Sequence, residues 1–192
     1  LTLICSRGWF VVDAVNYEGF TLKSLDLRFE LNCGGPTALL RGKVHWTDSD
    51  PTVPPGPTAP PTGLWHPEPG STPASGNYVY LDSEPGAFVG GGQKYLYTPD
   101  NAQILIDALG AAMLMHVIGD KTWIGTFEGM NSLTQFEPGY YGDLHAPPNN
   151  NPATGALSWV GGSAACSSST GWFVVDAATY SGSTLTSIDL RF

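Results

Sequence analysis

The residue types that most often carry chemistry are present in this chain, but their spacing matches no catalytic motif. The four histidines do not follow the HxxH or HExxH spacing of zinc enzymes. No serine lies in a GxSxG nucleophile elbow. The 17 Asp and Glu residues could always furnish one pair across a cleft, so such a pair does not identify a glycosidase. The sequence predicts no catalytic residue, no metal site and no cofactor.

Aromatic side chains are the more serious candidates for ligand binding. Exposed rings can stack on sugars, and Trp65, Tyr140 and Tyr141 are the residues that we expect to do so if the chain binds surface glycans. Aromatic residues in strands, however, are mostly core residues or cross-strand partners. Both interpretations stay open at this point.

A long internal repeat dominates the architecture. Residues 8–29 (GWFVVDAVNYEGFTLKSLDLRF) and 171–192 (GWFVVDAATYSGSTLTSIDLRF) align without a gap at an offset of 163 and match at 16 of 22 positions. Such a match indicates a tandem array of modules. The chain is expected to hold the end of one module and most of the next.

Three cysteines accompany the two copies. Cys5 precedes the first copy, Cys33 follows it by four residues, and Cys166 occupies the place of Cys5 in the second copy. The spacing predicts a Cys5–Cys33 disulfide across the ends of a hairpin, with Cys166 unpaired within the chain or paired beyond its end. A disulfide implies an oxidising compartment. Buried free thiols are the alternative.

Alternation of apolar and charged residues predicts strands within the first copy. Leu25, Leu27, Phe29 and Leu31 alternate with Asp26, Arg28 and Glu30, which predicts a half-buried strand with a charged outer row. A β-branched and aromatic strand over 9–14 precedes it, a short edge strand is expected over 1–5, and a closing strand over 38–46. We expect six residues to form an assembly strand: Trp9, Val11, Leu25, Leu27, Phe29 and Leu31.

A proline-rich stretch divides the chain. Six of the thirteen residues over 50–62 are proline, which favours an extended, stiff tether. A ligand for a proline-binding domain is the alternative. We therefore predict the final strands of one module over 1–49, a linker over 50–62, and most of the next module, without its closing strands, over 63–192.

The second module reads as a series of short strands separated by turn residues. We predict strands over 77–81, 93–98, 104–109, 113–118, 122–130, 139–144 and 157–160, followed by the repeated hairpin. Residues 108–117 could pass for an apolar helix, but Gly110 and the following Gly119-Asp120 favour a hairpin. The predicted fold class is all-β: an antiparallel β-sandwich or jelly-roll-like module in a tandem array.

Net charge and hydropathy limit the classes of partner that the chain is expected to bind. Eight Lys and Arg residues against 17 Asp and Glu give a net charge of −9, which disfavours nucleic acid and anionic membrane surfaces. No apolar run approaches the length of a membrane span, so no membrane insertion is predicted.

Several segments resemble a module that recurs, often in tandem, in secreted bacterial proteins. They are residues 29–35 (FELNCGG), 38–42 (ALLRG), 78–98, 122–142 and 171–192. The resemblance implies a β-sandwich, secretion and tandem use, but no settled activity.

These observations favour a structural function. A module without its closing strands exposes unpaired backbone, which a neighbouring unit can cover. We expect a non-enzymatic repeat of an extracellular bacterial filament or surface fibre, made of identical units joined head to tail by strand sharing. A carbohydrate-binding adhesin module on the cell surface is the alternative.

Overall fold

A computed structural model describes residues 7–34, 38–162, 164–166 and 170–192. The described residues form strands, turns and loops but no helix, so the all-β prediction is confirmed. None of them belongs to a helix that is long and apolar enough to cross a membrane. The chain divides into two compact units, Leu1–Val53 (unit 1) and Pro54–Phe192 (unit 2).

Unit 1 is an antiparallel three-stranded sheet. Its strands are β1 (Arg7–Glu18), β2 (Thr21–Asn32) and β3 (Leu39–Thr47), in the order β1-β2-β3. The tight turn between β1 and β2 contains Gly19 at a φ of 61°, a conformation that glycine adopts without steric cost. The strands predicted over 9–14 and 38–46 are therefore confirmed, whereas the one predicted over 1–5 lies outside the described residues.

One face of this sheet is apolar. Phe10 lies directly opposite Phe29, and Val12 lies opposite Leu27, whose neighbour on the other side is Val44. Residues opposite one another in an antiparallel pair share a face. The face therefore runs without interruption across all three strands.

The other face carries the charged row that the alternation predicted. Three cross-strand pairs line it: Arg28 with Asp13 at 3.1 Å, Arg41 with Glu30 at 2.7 Å, and His45 with Asp26 at 2.8 Å. Such exposed pairs contribute only about 0–1 kcal/mol each. They mark the solvent side of the sheet rather than stabilise it strongly.

The described residues of unit 2 form ten strands. They are β4 (Val79–Asp82), β5 (Lys94–Tyr97), β6 (Gln103–Leu109), β7 (Ala112–Ile118), β8 (Thr122–Glu128), β9 (Gly139–Leu144), β10 (Ala156–Gly161), β11 (Ala164–Ala165), β12 (Gly171–Ser181) and β13 (Thr184–Arg191). All of the strands predicted here are present, and none of their ends differs from the prediction by more than two residues. The segment that could have been a helix forms the β6–β7 hairpin, with Gly110 at a φ of 62° in its turn.

The strands of unit 2 form a sandwich. A five-stranded sheet in the order β11-β10-β8-β7-β6 faces a three-stranded sheet in the order β13-β12-β9, and β4 pairs with β5. Phe127 of β8 and Phe173 of β12 meet between the sheets, with ring centroids 5.6 Å apart. Val117, Trp123 and Trp159 belong to the same buried cluster. Period-2 alternation places these side chains on the inner faces.

The proline-rich stretch is in part docked on unit 2. Thr58 exchanges two backbone hydrogen bonds with Tyr140 of β9, at 3.2 and 2.8 Å. The Ser132 hydroxyl donates to the Pro55 carbonyl at 2.9 Å. Unit 2 accordingly begins at Pro54, and Thr58, within the predicted linker, forms an isolated β-bridge with Tyr140 of β9.

Two glycines allow tryptophan rings to pack flat on strands. A Cβ at Gly161 would overlap the Trp123 ring, and a Cβ at Gly125 would overlap the Trp159 ring. We expect Gly161→Ala and Gly125→Ala each to lower the free energy of unfolding of unit 2 by about 1–3 kcal/mol through overpacking. Urea unfolding followed by tryptophan fluorescence would measure the change. Gly56→Ala is the control, since a Cβ at Gly56 would meet no atom within 4 Å; equal midpoints for all three variants would contradict the packing account.

Candidate assembly interface

The sequence repeat is also a structural repeat. Both hairpins, β1–β2 and β12–β13, are antiparallel and carry two register shifts at matching places. The shifts fall between Val12 and Ala14 and between Asn16 and Tyr17 in unit 1, and at the equivalent positions in unit 2. The same backbone irregularities therefore recur 163 residues apart.

An ion pair is repeated together with the bulge. Asp13 and Arg28 lie 3.1 Å apart in unit 1, and Asp176 and Arg191 lie 3.1 Å apart in unit 2. Each aspartate occupies the bulge position, and each arginine lies on the facing strand. The two hairpins are thus equivalent in register, bulges and cross-strand charge.

Their environments differ sharply. Phe173 is 0% exposed, whereas the equivalent Phe10 is 70% exposed. Val175 is 1% exposed, and the equivalent Val12 is 44% exposed. The same apolar face is therefore a core surface in unit 2 and an open surface in unit 1.

In unit 2, aromatic residues cover this face. The Phe173 ring stacks on Tyr141 at a centroid distance of 4.4 Å and meets Phe136 edge-on at 6.2 Å. The Tyr141 hydroxyl donates to the Glu137 carbonyl at 2.8 Å. Burial raises the pKa of Tyr141 to about 12, which is the expected effect of an apolar environment on a phenol. Phe173 is therefore enclosed by rings from the body of unit 2.

The end of the second copy is buried in the same way. Phe192 packs against Trp159 at 4.7 Å and against Phe127 at 5.4 Å. Its equivalent in unit 1, Phe29, lies instead over Gly42 of β3, where a Cβ would overlap the ring. The Phe29 ring thus lies over the neighbouring strand β3 in unit 1, whereas the Phe192 ring packs in the core of unit 2.

The six residues predicted to form the assembly strand are divided between the two faces. Leu25, Leu27, Phe29 and Leu31 share the apolar face, because they alternate along β2. Trp9 and Val11 are paired with Glu30 and Arg28, which places them on the charged face. Sequence reasoning missed three residues of the apolar face: Phe10, Val12 and Val15. Only their pairing with Phe29, Leu27 and Leu25 of β2 identifies them.

The two copies also differ at one sheet edge. In unit 1, β2 is paired on both sides, with β1 and with β3. Its equivalent β13 has β12 as its only strand partner among the described residues. Beside it lies a groove of about 320 Å³, lined by Ile106–Ala108 of β6 and 184–188 of β13. Among the described residues, β13 therefore carries no strand on the edge where β2 carries β3.

Only part of the cysteine prediction concerns residues that the structure describes. Cys166 is a free, exposed thiol. Cys5 lies outside the described residues, so its pairing with Cys33 stays a prediction.

The candidate glycan-binding rings do not form one platform. Tyr141 is fully buried and faces the core. Tyr140 is half-buried and leans on Trp172 at 6.3 Å. Trp65 is 38% exposed and stacks on Tyr80 at 6.3 Å, so it is the most exposed of the three rings.

In the part of the chain that the structure describes, no group of three or more His, Cys, Asp or Glu residues could hold a metal ion. Comparisons with protein-family models, with curated proteins and with solved structures found no match for this chain.

The equivalent phenylalanines provide a matched test of the two environments. We expect Phe173→Ala to lower the free energy of unfolding by about 3–5 kcal/mol, the usual cost of truncating a buried phenylalanine. Phe10→Ala should change it by less than about 1 kcal/mol, because most of that ring is already in water. Urea unfolding of the two variants gives both values. Equal losses would show that Phe10 is packed as tightly as Phe173.

Proposed function

We propose that this chain is a structural, non-enzymatic repeat of an extracellular bacterial fibre whose units are joined head to tail. In the fibre, the β1–β3 sheet of one repeat packs on the β-sandwich body of the neighbouring repeat. It does so in the way that β12–β13 packs on the body of unit 2.

The observation that carries this proposal is the contrast between Phe10 and Phe173. Equivalent residues in the same register are 70% and 0% exposed. A contiguous exposed apolar face marks an interaction site in a folded protein. Since unit 2 covers its own copy of this face with a β-sandwich body, a body of that kind is the partner with the right shape and chemistry.

The size of the apolar face supports a cohesive junction. Six large side chains of the face are more than a third exposed: Phe10, Val12, Val15, Leu40, Val44 and Trp46. Full burial of one such side chain contributes about 1.5–3 kcal/mol. Covering the face therefore offers enough free energy to hold neighbouring repeats together, after the cost of ordering them.

An extracellular location agrees with the composition and with the predicted disulfide. Charge is sparse and mostly acidic, while Gly, Pro and aromatic residues are abundant. The resemblance to secreted tandem modules points in the same direction. The burial of Tyr141 and the packing of Tyr140 favour the fibre over a glycan platform built on those two rings.

Separate copies of the chain can form such a junction by exchange. The β1–β2 hairpin matches β12–β13 at 16 of 22 positions, so it can take that hairpin's place on a second copy. It brings β3 with it as the third strand of the same sheet. Heterologous contacts of this kind propagate beyond a dimer.

Sedimentation velocity of the purified chain tests this proposal. We expect species larger than a dimer that grow with concentration, and we expect Phe10→Asp to reduce them by at least tenfold because it places a charge in the apolar contact. Phe20→Asp should assemble like the wild type, since Phe20 is fully exposed in the β1–β2 turn. A wild-type chain that stays monomeric, or that stops at a face-to-face dimer, would contradict head-to-tail assembly.

A further inference from the structure

We infer that the outer face of the β4–β5 pair, together with the Trp65 ring, is a binding site for one neutral hexopyranose residue of an oligo- or polysaccharide. The site lies within unit 2 and involves no residue of the β1–β3 sheet. The inference therefore adds a binding activity to the proposed fibre and does not depend on it.

Alternation along β4 and β5 defines the two faces of this pair. The inner face belongs to the buried core of unit 2 and consists of Val79, Leu81, Tyr95 and Tyr97. On the outer face, Tyr80 lies opposite Leu96, and Asp82 lies opposite Lys94. Leu96 is 40% exposed, so an apolar surface continues beside the Tyr80 ring.

Trp65 extends this face with a second aromatic ring. The Trp65 and Tyr80 rings form an offset stack, with planes 10° from parallel. The Trp65 carbonyl accepts a hydrogen bond from the Arg191 guanidinium at 3.2 Å, which anchors the backbone that carries the ring. The aromatic surface is therefore held in place before a ligand binds, and such preorganisation favours affinity.

A charged pair borders the two rings. The Lys94 ammonium lies 2.9 Å from the Asp82 carboxylate. The hydrogen bond to Asp82, then the charge of Asp82 and then Tyr80, raise the pKa of Lys94, so Lys94 stays protonated at neutral pH. An ammonium has three donors and a carboxylate has several acceptor positions. The pair can therefore both donate to and accept from a ligand.

The Tyr80 hydroxyl is a third polar group at this place. It is shielded from solvent and has no hydrogen-bond partner among the described residues, although buried hydroxyls are usually paired. The Lys94 side chain lies near it and has a flexible stem. A ligand hydroxyl that displaces this stem would pair with the Tyr80 hydroxyl.

These groups match the chemistry of a pyranose ring. One face of such a ring presents C–H groups, which pack on aromatic and apolar surfaces such as Trp65 and Leu96. Its rim carries hydroxyls, which both donate and accept hydrogen bonds, as Asp82 and Lys94 require. A neutral sugar is favoured over an acidic one, because the chain has a net charge of −9 and Lys94 is already paired with a carboxylate.

A proline-rich peptide is the other ligand that aromatic surfaces of proteins commonly bind. Proline has no backbone N–H, so such a peptide presents mostly acceptors. The Asp82 carboxylate also only accepts and would face carbonyl oxygens without a donor. The presence of this carboxylate beside the rings favours the sugar.

A glycan array tests the predicted ligand class. The probes are immobilised oligosaccharides of glucose, galactose, mannose and N-acetylglucosamine, with oligogalacturonate as the acidic comparison. The fluorescently labelled full chain should bind at least one neutral series more strongly than the acidic one. Isothermal titration calorimetry with the soluble form of that neutral probe then gives the affinity.

Matched substitutions test the position of the site. Trp65→Ala should weaken binding by about tenfold or more, whereas Trp65→Phe, which keeps an aromatic ring, should weaken it less. Asp82→Asn should also weaken it by about tenfold, because it removes a charged acceptor. Asp100→Asn is the control, since it changes the net charge equally and Asp100 is exposed in the turn between β5 and β6. Circular dichroism and urea midpoints would establish that the variants are folded.

The outcomes are distinct. Neutral saccharide binding that follows this order of variants supports the site. Binding to no neutral probe, stronger binding to oligogalacturonate, or equal effects of Asp82→Asn and Asp100→Asn would overturn it. Binding of a peptide of residues 50–62 in place of any saccharide, with loss in Trp65→Ala, would also overturn the assignment to a sugar.

Sedimentation separates this inference from the proposed function. A chain that assembles but binds no neutral saccharide refutes the sugar site alone. A chain that binds the saccharide through Trp65 and Asp82 but stays monomeric refutes the fibre alone.

Discussion

The structure depends on one constraint: the hairpin that occurs twice has an apolar face that must be kept from water. In unit 2, the Phe173 ring satisfies it by stacking on Tyr141 at 4.4 Å and by meeting Phe127 between the two sheets. Trp123 and Trp159, which lie against Gly161 and Gly125, belong to the same buried cluster as Phe173. Without the hairpin, the five-stranded sheet would lose the opposing layer that encloses its core.

The first copy of the hairpin has the same local structure as the second in a different environment. Its register, bulges and Asp13–Arg28 pair are those of the second copy, so local sequence is sufficient to specify the hairpin. Its Phe10 stays 70% exposed, because one three-stranded sheet has no second layer. The local structure of the hairpin is therefore the same in both units, while the burial of its apolar face differs.

Much of the fold could be predicted from the sequence, because the signals are local. Alternation along β2 and turn glycines such as Gly19 and Gly110 define strands and hairpins without reference to the rest of the chain. The predictions were weaker where the pairing of strands determines which face of the sheet a residue lies on. The bulge at Asp13 interrupts the alternation of β1, so only the register with β2 reveals that Phe10 and Val12, rather than Trp9 and Val11, share the apolar face.

The dependence on tertiary pairing also explains two further differences between the sequence predictions and the structure. Tyr140 and Tyr141 are adjacent in the sequence, but strand alternation sends only Tyr141 into the core. The docking of Thr58 on Tyr140 joins residues 82 positions apart, and proline content alone favours an extended tether.

Electron microscopy of the native material tests the central claim most directly. The account predicts filaments whose axial repeat corresponds to one sandwich body, with density for the apolar face of the β1–β3 sheet packed against the body of the adjacent repeat. Monodisperse globular particles, or filaments in which that face is open to solvent, would contradict it.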